Sequence, residues 1–269
     1  MPNTSDAVAI IAALPQEISA LLGRLRAAEH ARAHLRGGRE YLVIERGSRR
    51  LVVTLARVGK VAAATTATAL IHQFDVGAIV FAGVAGGLAA SVGVGDVVVA
   101  DALRQHDMDA SPLFPRFEVP LLGRADFATD VGLSDALADA AQRFLADQAT
   151  TGADVVPNGR DGRRGGQLHR GLVLSGDRFV ADDAARRALL AGSPGALAVE
   201  MEGAAVAQVC HEYGVRCAVM RTISDSADAS AAEGFTHFLA ERASVVSSAI
   251  LARFLSTTYG LVTPPDEIG

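Results

Sequence analysis

The chain has 269 residues, half of them hydrophobic and a fifth charged, which suits one large domain or two small ones with a sizeable core. Its formal charge of -5 comes with no basic run or face, so the electrostatic footprint of a nucleic-acid or anionic-membrane binder is excluded and small molecules or other subunits are the expected partners. Two cysteines, Cys210 and Cys217, suggest neither a disulfide framework nor a zinc site and are expected as small core hydrophobes.

In chain order, residues 7–13 form a continuous apolar run of strand length. Pro15 and then Ile18, Leu21, Leu22 and Leu25 at helical spacing follow it, so the start reads as strand, short loop, helix. No basic segment precedes that first run, which argues against a signal peptide and for a cytoplasmic protein. Strands are predicted over 42–45 and 51–56 around a polar turn, and an alanine- and threonine-rich helix over 60–74. No charge occurs between Asp75 and Asp96, but glycines at 77, 83, 86, 87, 93 and 95 break that stretch into a strand over 78–82, a glycine-rich turn over 83–87 and a second segment, so it is not a membrane span.

A strand is predicted over 96–100 and a helix over 134–146, capped by Ser134. The glycine- and arginine-rich stretch 157–170 reads as a mobile surface loop, and 172–174 resumes a strand. Residues 203–213 form a helix that Gly214 is placed to end, 215–221 a strand, and 235–255 one long final helix. Short apolar strands alternating with helices, without a repeat or a long linker, imply a single α/β domain over 1–269 with a mixed, mostly parallel central sheet flanked by helices. Ligands gather at the carboxyl ends of such strands.

Common catalytic signatures are missing: the chain has no metalloprotease H-E-x-x-H, no P-loop, no G-x-S-x-G elbow and no G-x-G-x-x-G after a strand. His106, Asp107 and Asp109 could offer metal ligands, but no further cluster stands at ligand spacing, and neither a metal nor a cofactor is expected. What remains is a set of acids near strand ends. Glu17 could serve only the dipole of its helix, and Ser224 with Asp225 could be turn chemistry. Glu200 and Glu202 could form an ion pair with an arginine such as Arg221 or Arg178. Singly, none of these acids decides between a structural and a chemical role.

Together they carry a resemblance. The stretches AIIAALPQEI, RVGKVAAATTATALI, FAGVAGGLAASVGVGDVVVAD, LVLSGDRFV, AVEMEGAAVAQVCHEYGV and MRTISDSAD stand in the order of the purine nucleoside phosphorylase superfamily. More narrowly, the chain resembles the methylthioadenosine/S-adenosylhomocysteine nucleosidases. That resemblance implies cleavage of a purine N-glycosidic bond through a cationic sugar, without a cofactor. It maps the acid that protonates the base onto Asp225, the water-activating base onto Glu17 and the ribose-binding glutamate onto Glu202. Met201 would pack beneath the ribose, Phe179 and the backbone of Val180 would hold the base, and Val58, Ala85 and Gly86 would complete the substrate pocket. Ser224 would orient Asp225, with Arg221 and Glu200 in support, and Leu113 or Phe114 would enter the pocket of a partner subunit in a homodimer.

Two departures stand out. Val84 replaces a hydroxyl residue common in relatives, which weakens a phosphate site, and Arg57 stands where glycine is common and could reach an anionic group or phosphate. Hydrolysis of methylthioadenosine, S-adenosylhomocysteine or an analogue is therefore the first reading. Phosphorolysis on the same fold is the second, and a catalytically silent nucleoside-binding protein the third.

Overall fold

All five residues of the first strand, β1 (Val8–Ala12), are buried, as a strand covered on both faces must be. Val8, Ile10 and Ala12 face one hydrophobic core, Ala9 and Ile11 the other. The computed structural model describes residues 5–28, 30–151 and 166–262. Parallel neighbours of β1 are β4 (Arg49–Leu55) and β5 (Ala78–Gly87), and β4 continues antiparallel through β3 (Arg39–Arg46) to β2 (Ala31–Arg36).

On its other side β5 pairs in parallel with β10 (Arg216–Asp225), which meets β6 (Val97–Gln105) antiparallel. The path runs on in parallel through β8 (Leu168–Ser175) to β9 (Ala196–Glu200), and β9 returns to the end of β5 at Gly86 and Gly87. These pairings close a ring of five strands, so that part of the sheet has no free edge. A short strand, β7 (Asp126–Ala128), is added to β6.

Helices α1 (Pro15–Arg26), α3 (Val131–Thr151) and α7 (Ala243–Phe254) supply one core, and α2 (Lys60–Phe74) and α5 (Gly203–Tyr213) the other. The result is the α/β architecture expected of the sequence. No helix among the described residues is long and apolar enough to cross a membrane. The bounds of α2 and α5 agree with the periodicity, and Gly214 ends α5 at φ 64°, a conformation for which glycine has no steric penalty.

Four expectations need correction. Residues 83–87 are not a turn but the buried second half of β5, where the missing side chains leave room for functional groups. Helix α3 starts before Ser134: the Oδ1 of Asp130 accepts from the Leu133 N–H, while Ser134 is buried with its Oγ on the Thr129 hydroxyl. Of the loop expected at 157–170, residues 157–165 lie outside the described residues, and Leu168 to Arg170 belong to β8. The long last helix is two, α6 (Ala231–Glu241) and α7, divided at Arg242, whose φ of -128° is not helical. An amphipathic helix, α4 (Asp183–Gly192), and strands β2 and β7 were not predicted. Helix α4 buries none of its residues fully, and its Ala185, Leu189 and Leu190 pack half-buried against a small core that includes Leu88, Leu174 and Val199.

Candidate active site

Strand ends and helix starts converge on a cavity of about 300 Å³. It is lined by Glu17, Val58, Ala85, Gly86, Phe179, Val180, Glu200, Met201, Glu202, Ser224 and Asp225, all residues singled out in the sequence. Ala13, Leu14, Val84, Arg178, Val199 and Phe235 complete the wall. The sequence places Phe235 only at the start of a helix, with no pattern that marks it as a site residue, and its ring meets that of Phe179 edge to face at 5.5 Å. Leu113 and Phe114 are not on this wall, and Leu113 is 84% exposed.

Glu17 occupies the first turn of α1. Its Oε2 accepts from the N–H groups of Ala13 and Leu14, each at 2.8 Å, and its Oε1 from that of Val84 at 3.0 Å. Ile18, at φ -137° and ψ 21°, breaks the helix immediately afterwards and separates this turn from the rest of α1. Burial raises the Glu17 carboxyl above its ordinary range, against Arg221 and the three N–H donors, which favour the anion. A side chain at Gly83 would strike this group: an added Cβ would stand 2.6 Å from Glu17 Oε1 and 2.7 Å from Arg221 Nη1. Glycine is required there by space, not by turn geometry.

Arg221 lies within β10 and is 1% exposed, with its guanidinium 4.2 Å from the centre of the Phe81 ring. It pairs with Glu200, and Glu202 and Glu17 also act on its charge. Burial alone would lower its pKa, but the three glutamates hold it above the ordinary value. One cation therefore serves three buried acids and cannot offset them all. Glu200 takes most of it, and its oxygens also accept from Ser175 Oγ and from the N–H groups of Glu202 and Gly203 at the start of α5. Of the two arginines considered, Arg221 is thus the partner of Glu200, while Arg178 pairs with Asp182.

Among the described residues the Glu202 side chain accepts one hydrogen bond, at its Oε1 from the Gly59 N–H at 2.8 Å. Burial, and next the neighbouring Glu200, raise its pKa to about 8. Its carboxyl therefore holds its proton to higher pH than a solvated glutamate does.

Asp225 ends β10 opposite Gly86, where a bulge between Ile223 and Asp225 shifts the register and redirects the side chains. Its Oδ1 accepts from the Ala227 N–H and its Oδ2 from Ser224 Oγ, both at 2.8 Å. The Ser224 hydroxyl is also 3.3 Å from the Ala85 carbonyl. It has one proton for two acceptors, so a protonated Asp225 can donate to Ser224 while Ser224 donates to Ala85. Burial raises the pKa of Asp225 against these two hydrogen bonds.

An α/β fold whose largely apolar cavity holds one acid raised towards its protonated form, a second acid locked by backbone donors and a third near the point of ionisation is suited to a reaction with a cationic transition state. The chain belongs to the phosphorylase superfamily, whose family model matches residues 7–256. It is 31% identical over 234 residues, 86% of this chain and 91% of the relative, to a 5'-methylthioadenosine/S-adenosylhomocysteine nucleosidase of Shewanella denitrificans. An aminodeoxyfutalosine nucleosidase of Helicobacter pylori is 35% identical over 196 residues, 73% of this chain and 76% of the relative. Among solved structures, the 5'-methylthioadenosine/S-adenosylhomocysteine nucleosidase of Neisseria meningitidis in complex with methylthio-immucillin-A superposes with a TM-score of 0.80 at 31% identity, covering 94% of this chain and 99% of that one.

Proposed function

We propose that this chain hydrolyses the N-glycosidic bond of a purine nucleoside, 5'-methylthioadenosine or S-adenosylhomocysteine, and releases adenine. The observation that carries this reading is the common cavity of Glu17, Glu202 and Asp225, three buried acids in different hydrogen-bonding environments. Asp225 gives a proton to N7 of the base, the C1'–N9 bond breaks, and its electron pair leaves with adenine. Glu17 takes a proton from a water molecule, whose oxygen bonds to C1' and leaves a free sugar.

Glu202 receives the ribose hydroxyls. Positive charge growing on the sugar favours its ionised form, so its interaction strengthens as the transition state is approached. Met201 supports the ribose, Phe179 stacks on the base with Phe235 packed edge to face against it, the backbone of Val180 hydrogen-bonds the base, and Val58, Ala85 and Gly86 close the remaining wall. Ser224 and Arg221 position the acids without touching the reacting atoms.

Hydrolysis is favoured over phosphorolysis by the place of Glu17. The three N–H groups that could bind an anion are occupied by its carboxylate, and Val84 offers no hydroxyl. A phosphate dianion there would meet a negative charge.

The chain is read as one domain over 1–269 acting in the cytoplasm as a homodimer, in which Leu113 or Phe114 reaches the partner's cavity. The exposure of Leu113, Val61 and Val58 supports that arrangement. A panel of methylthioadenosine, S-adenosylhomocysteine, adenosine and inosine, assayed with and without phosphate, tests the reading. Undiminished adenine release in phosphate-free buffer is expected, and a strict phosphate requirement would overturn it.

A further inference from the structure

A second groove, of about 490 Å³, adjoins the cavity and shares Ala13, Leu14 and Val58 with it. Its polar wall holds Arg26, Arg39, Glu40 and Arg57. Arg26 pairs with Glu40, so those two charges offset each other. The other two arginines make hydrogen bonds to carbonyls: Arg57 Nη2 donates to Gly38 O at 2.9 Å, and Arg39 reaches the carbonyls of Gly37, Ala56 and Ala62 only at 3.4 to 3.5 Å. Arg39 and Arg57 also line an adjoining hollow with Lys60 and Asp177, and the Asp177 Oδ1 there accepts from the Lys60 N–H. Among the residues that line the groove itself, three arginines face one glutamate, an excess of two positive charges.

Arg57 is also held at φ 69°, a left-handed conformation in which a side chain is disfavoured relative to glycine by about 1 kcal/mol. The segment it belongs to stands at the sugar end of the cavity, because the Gly59 N–H, two residues on, donates to Glu202. A group extending from the sugar away from the base would pass Val58 and enter this groove.

We propose that Arg57 and Arg39 form a carboxylate subsite, and that the nucleosides this chain prefers carry a 5' substituent ending in a carboxylate. This rests on the nucleosidase reading, with Glu202 at the ribose. Arginine forks match a carboxylate in two parallel hydrogen bonds, and a carboxylate is a stronger acceptor than the neutral backbone carbonyls that these two side chains reach.

The test compares 5'-deoxy-5'-(3-carboxypropylthio)adenosine with its neutral carboxamide, by kcat/KM and by dissociation constants on the Glu17→Gln protein. The wild type is expected to favour the carboxylate about 10-fold or more, with the ratio falling as salt is raised. Arg57→Gly, which suits the backbone at that position, and Arg39→Gln should each reduce the ratio severalfold. Because each variant is its own reference, a general loss of stability leaves the ratio unchanged. A ratio near one in the wild type, or one that both substitutions leave intact, overturns the proposal. Binding that discriminates without any adenine release supports the subsite and counts against the nucleosidase reading, whereas binding of neither compound overturns both. If the substitutions instead abolish a phosphate-stimulated cleavage and leave the carboxylate preference intact, the arginines serve inorganic phosphate and the proposal fails.

Discussion

Replacing Glu202 with glutamine should separate stability from activity in a pH-dependent way. The carboxyl ionises near its ordinary 4.5 in the unfolded chain and at about 8 in the folded one. Below 4.5 both states hold the proton and burial carries no ionic penalty. Between 4.5 and 8 the unfolded state has lost its proton while the folded state keeps it, so stability falls as pH rises; above 8 the loss is complete. A difference of that size corresponds to at most about 5 kcal/mol, and partial access of water to the cavity reduces it to roughly 2–5 kcal/mol. For a chain of this length that is about 5–15 °C in Tm. Glutamine keeps an oxygen for the Gly59 N–H and carries no ionisable group. Thermal unfolding of the ligand-free proteins from pH 5 to 8.5 should therefore show a smaller decline for Glu202→Gln than for wild type, by that margin, alongside a large loss of turnover. Glu17 and Asp225, also raised by burial, contribute a decline common to both proteins, so the difference between the two curves is the readout. Parallel curves would refute the assignment of a buried, protonated Glu202.

Glu17→Gln and Asp225→Asn should each lower kcat by about 10²–10⁴-fold with unchanged circular dichroism; wild-type rates in either would remove its role. The proposed mechanism needs Glu17 ionised and Asp225 protonated, so kcat/KM should fall on the acid side as Glu17 gains its proton and on the alkaline side as Asp225 loses its own. The residual activity of Asp225→Asn should lack the alkaline limb. Gly83→Ala should displace the Glu17 carboxylate or Arg221 and reduce kcat at least 10-fold, and an unaffected rate would show that the close approach is not needed. Arg221→Met should destabilise the fold by about 3–5 kcal/mol in chemical denaturation, since it strands Glu200 in the core, and a loss below 1 kcal/mol would contradict the ion-pair argument.

The sequence disclosed the elements with strong periodicity or clear stops, such as α2 and α5, and most of the residues on the cavity wall. Glycine misled the reading of β5: residues 83–87 look like a turn, but their small size answers to Glu17, Arg221 and Asp225 packed against the strand, a constraint visible only in three dimensions. The division between α6 and α7 was hidden because no proline or glycine marks Arg242. Similarity to a family pointed to Glu17, Glu202 and Asp225, whereas their differing environments depend on backbone N–H groups of Ala13, Leu14, Gly59, Val84 and Ala227, which no side-chain pattern records. Arg221 was legible as a candidate partner for Glu200, but its service to three acids follows from topology, which brings α1, β9, α5 and β10 to one point.

Oxygen-18 labelling tests the central claim most directly. With methylthioadenosine and the wild-type protein in phosphate-free H2(18)O, the account predicts release of adenine with one labelled oxygen on C1 of the free sugar from the first turnover. Unlabelled sugar, or a sugar 1-phosphate formed only when phosphate is supplied, would contradict it.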